Sequence, residues 1–152
     1  MEGLSLRRAV AAEAEAVRQI VRVAFVKYVP RIGREPWPMT VGYDDPIARG
    51  HCWVAELDQR IAGMLVIVPE DGYLHLETIA VAPEAQGRGV GGRLLGFAEE
   101  QASAAGLGEV RLYTNEAMSE NLDFYRRHGY RETHRIKQDG FCRVFFTKDL
   151  RR

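Results

Sequence analysis

Ile79-Ala80-Val81-Ala82-Pro83-Glu84-Ala85-Gln86-Gly87-Arg88-Gly89-Val90-Gly91-Gly92-Arg93 is the most informative stretch of the chain. An apolar β-type run enters a turn carrying four glycines, and an amphipathic helix leaves it with Val90, Leu94, Ala98 and Ala102 on one stripe. Glycine lets backbone N–H groups converge without Cβ obstruction. The first helical turn adds unpaired N–H donors and about half a positive charge. Together they predict a site for phosphate or pyrophosphate, with Arg88 and Arg93 adding charge beside it. Gly87-x-Gly89-x-x-Gly92 also matches the dinucleotide fingerprint, and Glu109 follows at the expected interval. But Glu109 opens its strand, and antiparallel hairpins flank the unit where a Rossmann domain needs alternating βα units. A P-loop fails as well, because no G-K-[ST] follows.

Upstream of this unit, residues 4–10 read as a short strand. Val17, Ile20, Val21, Ala24, Phe25 and Tyr28 form one helical face, which Pro30 is expected to end. Residues 31–50 carry Pro36, Pro38 and Pro46 with Gly33 and Gly42, which leaves room only for a short helix near 39–43. Residues 51–57 and 61–68 form a predicted hairpin, and 73–81 a third strand. Downstream, 90–105 is helical, 109–115 a strand, and 119–128 a helix with Ser119 as expected N-cap and Gly129 after its end. A last hairpin is predicted around Gln138-Asp139-Gly140. This order predicts an α+β fold with a mixed sheet sandwiched by helices.

The 152 residues carry 21 Lys+Arg against 21 Asp+Glu, with 46% apolar and 28% charged residues. That balance predicts a single soluble domain over 1–152 and argues against disorder. Zero net charge argues against generic nucleic-acid binding, which needs excess Lys/Arg on the phosphates. Nothing in residues 1–20 reads as a leader, and no run approaches the roughly 18 apolar residues of a membrane span. Cys52 and Cys142 read as reduced thiols of a cytoplasmic protein. His51, His128 and His134 have no metal-ligand spacing, so no metal is predicted.

Gln86-Gly87-Arg88-Gly89-Val90-Gly91 resembles the Q/R-x-x-G-x-G/A acetyl-CoA turn of the GNAT superfamily of N-acetyltransferases. Asn121-Leu122-Asp123-Phe124-Tyr125-Arg126-Arg127-His128-Gly129-Tyr130 resembles that family's N-x-x-x-Y-x-x-x-G-[FY] segment. The resemblance implies a central, mostly antiparallel sheet of six to seven strands with a V-shaped splay, flanked by about four helices. It implies acetyl-CoA as co-substrate and direct acetyl transfer to a primary amine in a ternary complex. Ile79, Ala80 and Val81 would then contact pantetheine. Gln86, Gly87, Arg88, Gly89, Val90, Gly91, Gly92 and Arg93 would hold the pyrophosphate. Asn115 and Asn121 match positions that hydrogen-bond the cofactor, and Tyr125 the tyrosine that protonates the departing thiolate or simply packs. Homodimers are common in the family.

An amine of pKa near 10 is only about 0.1% neutral at pH 7, so a base accelerates its attack on the thioester. Glu77 is the first choice for that base and His75 the second, since both alternate with Leu74 and Leu76 on one strand face; water stays open. Phe25, Tyr28, Trp37, Met39 and Tyr43, with Asp44 and Asp45 nearby, would wall an acceptor site for a small organic amine or else cap the core. A peptide or protein amine, and a non-catalytic acyl-CoA-binding module, remain alternatives.

Overall fold

The computed structural model describes residues 3–151. Their strands form one seven-stranded sheet in the order β1-β2-β3-β4-β5-β7-β6. β1 (Leu4–Arg8), β2 (Cys52–Leu57), β3 (Arg60–Pro69) and β4 (Leu74–Val81) make an antiparallel half. β5 (Glu109–Asn115), β7 (Phe141–Asp149) and β6 (Arg131–Gln138) make the other. The halves meet at one parallel seam, where only Leu74 with Val110 and His75 with Arg111 pair. Past His75 the two strands diverge, giving the expected V. Hairpin turns at Asp58-Gln59 and Asp139-Gly140 have positive φ at both residues, the geometry that matches strand twist.

Two apolar layers sandwich the sheet. α5 (Val90–Ala104) and α6 (Ser119–Arg127) cover one face, burying Leu94, Leu95, Leu122 and Tyr125 against Leu65, Leu112 and Phe146. α1 (Ala14–Phe25) covers the other with Val17, Val21 and Phe25, one residue per turn, against Val54, Met64 and Val66. Among the described residues no helix is long and apolar enough to cross a membrane.

Several local expectations are corrected. Pro30 does not end the first helix: α1 passes through a 3-10 turn at Val26–Tyr28 into α2 (Val29–Ile32), whose first turn holds Pro30 where no intrahelical N–H is needed. Left-handed Gly33 stops α2. The proline-rich segment then folds into two short pieces, α3 (Trp37–Thr40) and α4 (Asp44–Ala48), where one short helix near 39–43 was expected. Ser119 is the first residue of α6 and not its cap; the preceding Met118 makes no side-chain cap bond.

Candidate active site

β4 changes phase at Glu77. Val66 of β3 pairs with Thr78 and Ile67 with Leu76, so Glu77 is an unpaired extra residue, a β-bulge. A bulge shifts the two-residue period by one. Leu74 and Leu76 before it, and Ile79 and Val81 after it, therefore all pack toward α5 and α6, while Ala80 packs toward α1. The extra residue follows His75, which keeps Glu77 among its charged neighbours. Glu77 lines the cavity inside the V with Thr78 and Ile79, whereas His75 lies outside it near Tyr113 and Arg111. Burial lowers the pKa of His75. Thr78 is buried, and its hydroxyl has no hydrogen-bond partner among the described residues.

The glycine turn divides into two pairs with different work. Gly87 and Gly89 hold φ of +79° and +83°, and a Cβ at either would stand in open space. The backbone there is shaped for an approaching group and nothing of the protein fills the place. The first backbone bond of α5 joins the Arg93 amide to the Gly89 carbonyl, which leaves the amides of Val90, Gly91 and Gly92 free for an anion. Gly91 and Gly92 are packing residues: added Cβ atoms would lie 3.4 Å from the Phe124 ring and 3.2 Å from His128 Nε2. They let α5 and α6 approach, a role the expected anion site did not include. The Val90 side chain is core, so only its backbone faces the turn. Gln86 Nε2 donates to the Val81 carbonyl at 3.1 Å and ties the turn back to β4. Arg88 and Arg93 are exposed beside it.

From this turn a groove runs along the free edge of β4. Ile79, Ala80, Val81 and Gln86 form one wall, and Asn121 with Tyr125 the other. Among the described residues no strand pairs with this side of β4 beyond His75, so its edge is open to a further extended partner. Lys27 and Arg127, two cations the sequence reading did not single out, stand at the groove. The groove and the cavity share Phe25, Ile79, Asn121 and Tyr125. Tyr125 is 4% exposed; burial raises its pKa, and its hydroxyl has no hydrogen-bond partner among the described residues. Asn115 also lines the cavity, although its Oδ1 already accepts from the Ala117 amide at 2.8 Å.

The chain has recognisable relatives. Residues 48–132 match the family described as the acetyltransferase (GNAT) domain. The chain belongs to the GNAT family. It is 35% identical to an IAA acetyltransferase of Azospirillum brasilense over 68 residues, 45% of this chain and 44% of that protein. It is 36% identical to an aminoalkylphosphonate N-acetyltransferase of Salmonella typhimurium over 59 residues, 39% of this chain and 38% of that one. The chain thus spans less than half the length of these curated relatives. Its fold is similar to PaiA N-acetyltransferase of Thermoplasma acidophilum, solved with coenzyme A, at TM-score 0.81 and 18% identity over 96% of this chain and 98% of that one.

Within this GNAT domain the expected acceptor wall separates into parts. Phe25 and Trp37 line the cavity. Tyr28 lies in the groove instead, where burial raises its pKa. Met39 and Tyr43 are core residues at 4% and 2% exposure, and the Tyr43 hydroxyl donates to the Pro38 carbonyl at 2.7 Å. Asp45 is engaged by Arg49 on α4 at 2.9 Å and, like Asp44, does not line the cavity. The wall is completed by Tyr113 of β5, Met118 before α6, and Phe141 and Arg143 of β7. Register brings Arg143 directly opposite Asn115. That pairing joins residues far apart in sequence, and no local signal announces it.

Proposed function

We propose that this chain transfers the acetyl group of acetyl-CoA to a primary amine of a small molecule. One observation carries the reading: the groove from the Gly87/Gly89 turn opens into a cavity that Glu77 and Tyr125 both line. The amides of the turn and of α5 suit the pyrophosphate, and the free edge of β4 suits the amide-bearing pantetheine arm. Acetyl-CoA would supply the acyl carbon as a thioester, a leaving group that an amine displaces readily.

Glu77 would take the proton that an ammonium must shed before its nitrogen has a lone pair. The carbon–nitrogen bond then forms as the carbon–sulfur bond breaks, and the second proton lost by nitrogen ends on the CoA sulfur. Tyr125 fits best as a hydrogen-bond donor to that sulfur. Full proton transfer would leave a phenolate in a site whose burial already raises its pKa. The base contributes on the order of 10²–10⁴-fold to the rate.

A covalent route through cysteine is disfavoured. Cys52 is fully buried and burial pushes its thiol up to about 12; Cys142 is shifted upward too, and neither lines the cavity. As free thiols, both suit a reducing cytoplasmic compartment. The cavity wall includes Pro36, Trp37 and Phe141, which favours a compact acceptor over a peptide laid across an open groove. The names of the two relatives, an IAA acetyltransferase and an aminoalkylphosphonate N-acetyltransferase, point the same way. The direct test incubates the protein with acetyl-CoA and a panel of amines and follows release of CoA thiol. Acetyl-CoA binding without amine-dependent release would favour a non-catalytic module.

A further inference from the structure

Acetyl transfer to an amine calls for a base in the cavity but not for a cation, and the cavity has both. Glu77 and Arg143 are the charged side chains of an otherwise uncharged wall that also carries Thr78, Thr114, Asn115 and Asn121, around an enclosed space of about 70 Å³. Neither forms an ion pair among the described residues. Arg143 Nη1 donates to Gln138 Oε1 at 2.7 Å, and the guanidinium lies between two rings, 5.1 Å from the Tyr113 centroid and 5.7 Å from that of Phe141. A guanidinium has five N–H donors, and the protein uses one of them here. Its aromatic neighbours hold it in place and neutralise nothing.

Arg143 is half-buried, and its remaining donors are open to any group of opposite sign that reaches them. Glu77 does not reach them. It stands on β4 and Arg143 on β7, with β5 between them, and they are beyond ion-pair distance. The cavity therefore presents a negative and a positive group at separate places. We infer that its acceptor is an amine that also carries an anionic group, a carboxylate or a phosphonate, with nitrogen toward Glu77 and the anion on the Arg143 fork. A carboxylate and a phosphonate share the geometry that a guanidinium grips with two parallel bonds. A polyamine fits less well, because it would meet Arg143 where it needs a second carboxylate. Asp45, an acid of the proline-rich segment, is already held by Arg49.

This inference rests on the acetyl-transfer reading, so its test must separate the two. Purified full-length protein is given acetyl-CoA and amines in matched pairs of similar length and basicity: β-alanine beside propylamine, 2-aminoethylphosphonate beside butylamine. CoA thiol release gives kcat/KM for each, and calorimetry gives acetyl-CoA affinity separately. The expected result is a preference of about 10- to 100-fold for the anionic member, the range of a charge-assisted hydrogen bond. The better of the two anions identifies the source. In Arg143→Gln the ratio within each pair falls to within about threefold of unity, and Arg143→Lys, which keeps the charge but not the fork, retains part of it. Equal use of both members by the wild-type protein, or an unchanged ratio in Arg143→Gln, overturns the anion assignment and leaves acetyl transfer standing. Silence of every amine with acetyl-CoA bound overturns the transfer reading, and this inference with it.

Discussion

The proposed donor and acceptor halves of the site are built from different materials. The donor half is mostly backbone in one continuous run: the edge of β4, the turn at Gly87 and Gly89, and the first amides of α5. The acceptor half is mostly side chain, drawn from the end of α1, the proline-rich segment, the bulge of β4, β5 and β7. Backbone recognition tolerates almost any side chain except at the positions whose geometry it needs. Side-chain recognition can change with each residue while the fold stays fixed. The donor half should therefore fail sharply at a few glycines, and the acceptor half should degrade gradually across many residues.

The sharpest way to break that contrast is Gly89→Glu. The substitution forces a left-handed backbone on a side chain that resists it and places a carboxylate at the proposed anion site. Acetyl-CoA affinity should fall at least about 100-fold by calorimetry, since the strain and the repulsion each contribute on the order of a factor of ten or more. Gly92→Ala is the control within the same turn. Its new Cβ meets His128 rather than a ligand, so it should lower thermal stability and spare most of the affinity. Equal loss of affinity in both would erase the division between the two glycine pairs.

Glu77→Gln tests the point where the halves meet. It should lower kcat/KM at pH 7 by about 100-fold or more and leave acetyl-CoA affinity unchanged. A rate within a few-fold of wild type, with the same pH dependence, would move the base to ordered water.

The same contrast governs how much of the site could be read from the sequence. The family was legible in Gln86 to Gly91 and Asn121 to Tyr130 because both are short local segments, and a local conformation is encoded by local sequence. The seven strands were legible from alternation and turns, and β5 even to its boundaries. Two physical features hid the rest. The bulge at Glu77 shifts the period within a run that alternates without a break, so the faces of Thr78 to Val81 could not be read from it. Arg143 and Phe141 reach the cavity only because β7 inserts between β5 and β6, a non-local pairing that no periodicity records. Met39 and Tyr43 sit among prolines beside Trp37 and have the same composition signal, yet they face the core.

A smaller effect is expected at Trp37, which lines the cavity and is 38% exposed. Trp37→Ala removes one aromatic wall of the acceptor half. Steady-state kinetics should show acceptor KM rising by about tenfold, the scale of one partly exposed aromatic contact. Acetyl-CoA affinity should stay put. A fall in that affinity would mean that the halves share more than the residues at their junction.

The smallest effect is expected at an ion pair beside the groove. Glu120, at the start of α6, holds Arg31 of α2 with its closest contact at 2.5 Å and Lys27 at 3.6 Å. The Arg31 hydrogen bond leads in lowering its pKa from 4.5 to about 2. A carboxylate depressed in the folded state adds stability that is fully present above about pH 4.5 and is lost as pH falls toward 2. The pair is close to half exposed, so solvent and salt screen most of it. Glu120→Gln should accordingly lower Tm at pH 7 and low salt by no more than about 2 °C. The gap should narrow steadily from pH 5 to pH 2.5, and also at 0.5 M salt. A gap that persists at pH 2.5 would show that Glu120 joins α6 to α2 by packing, and the contact of that helix pair at the groove would then be apolar, around Tyr28, instead of ionic.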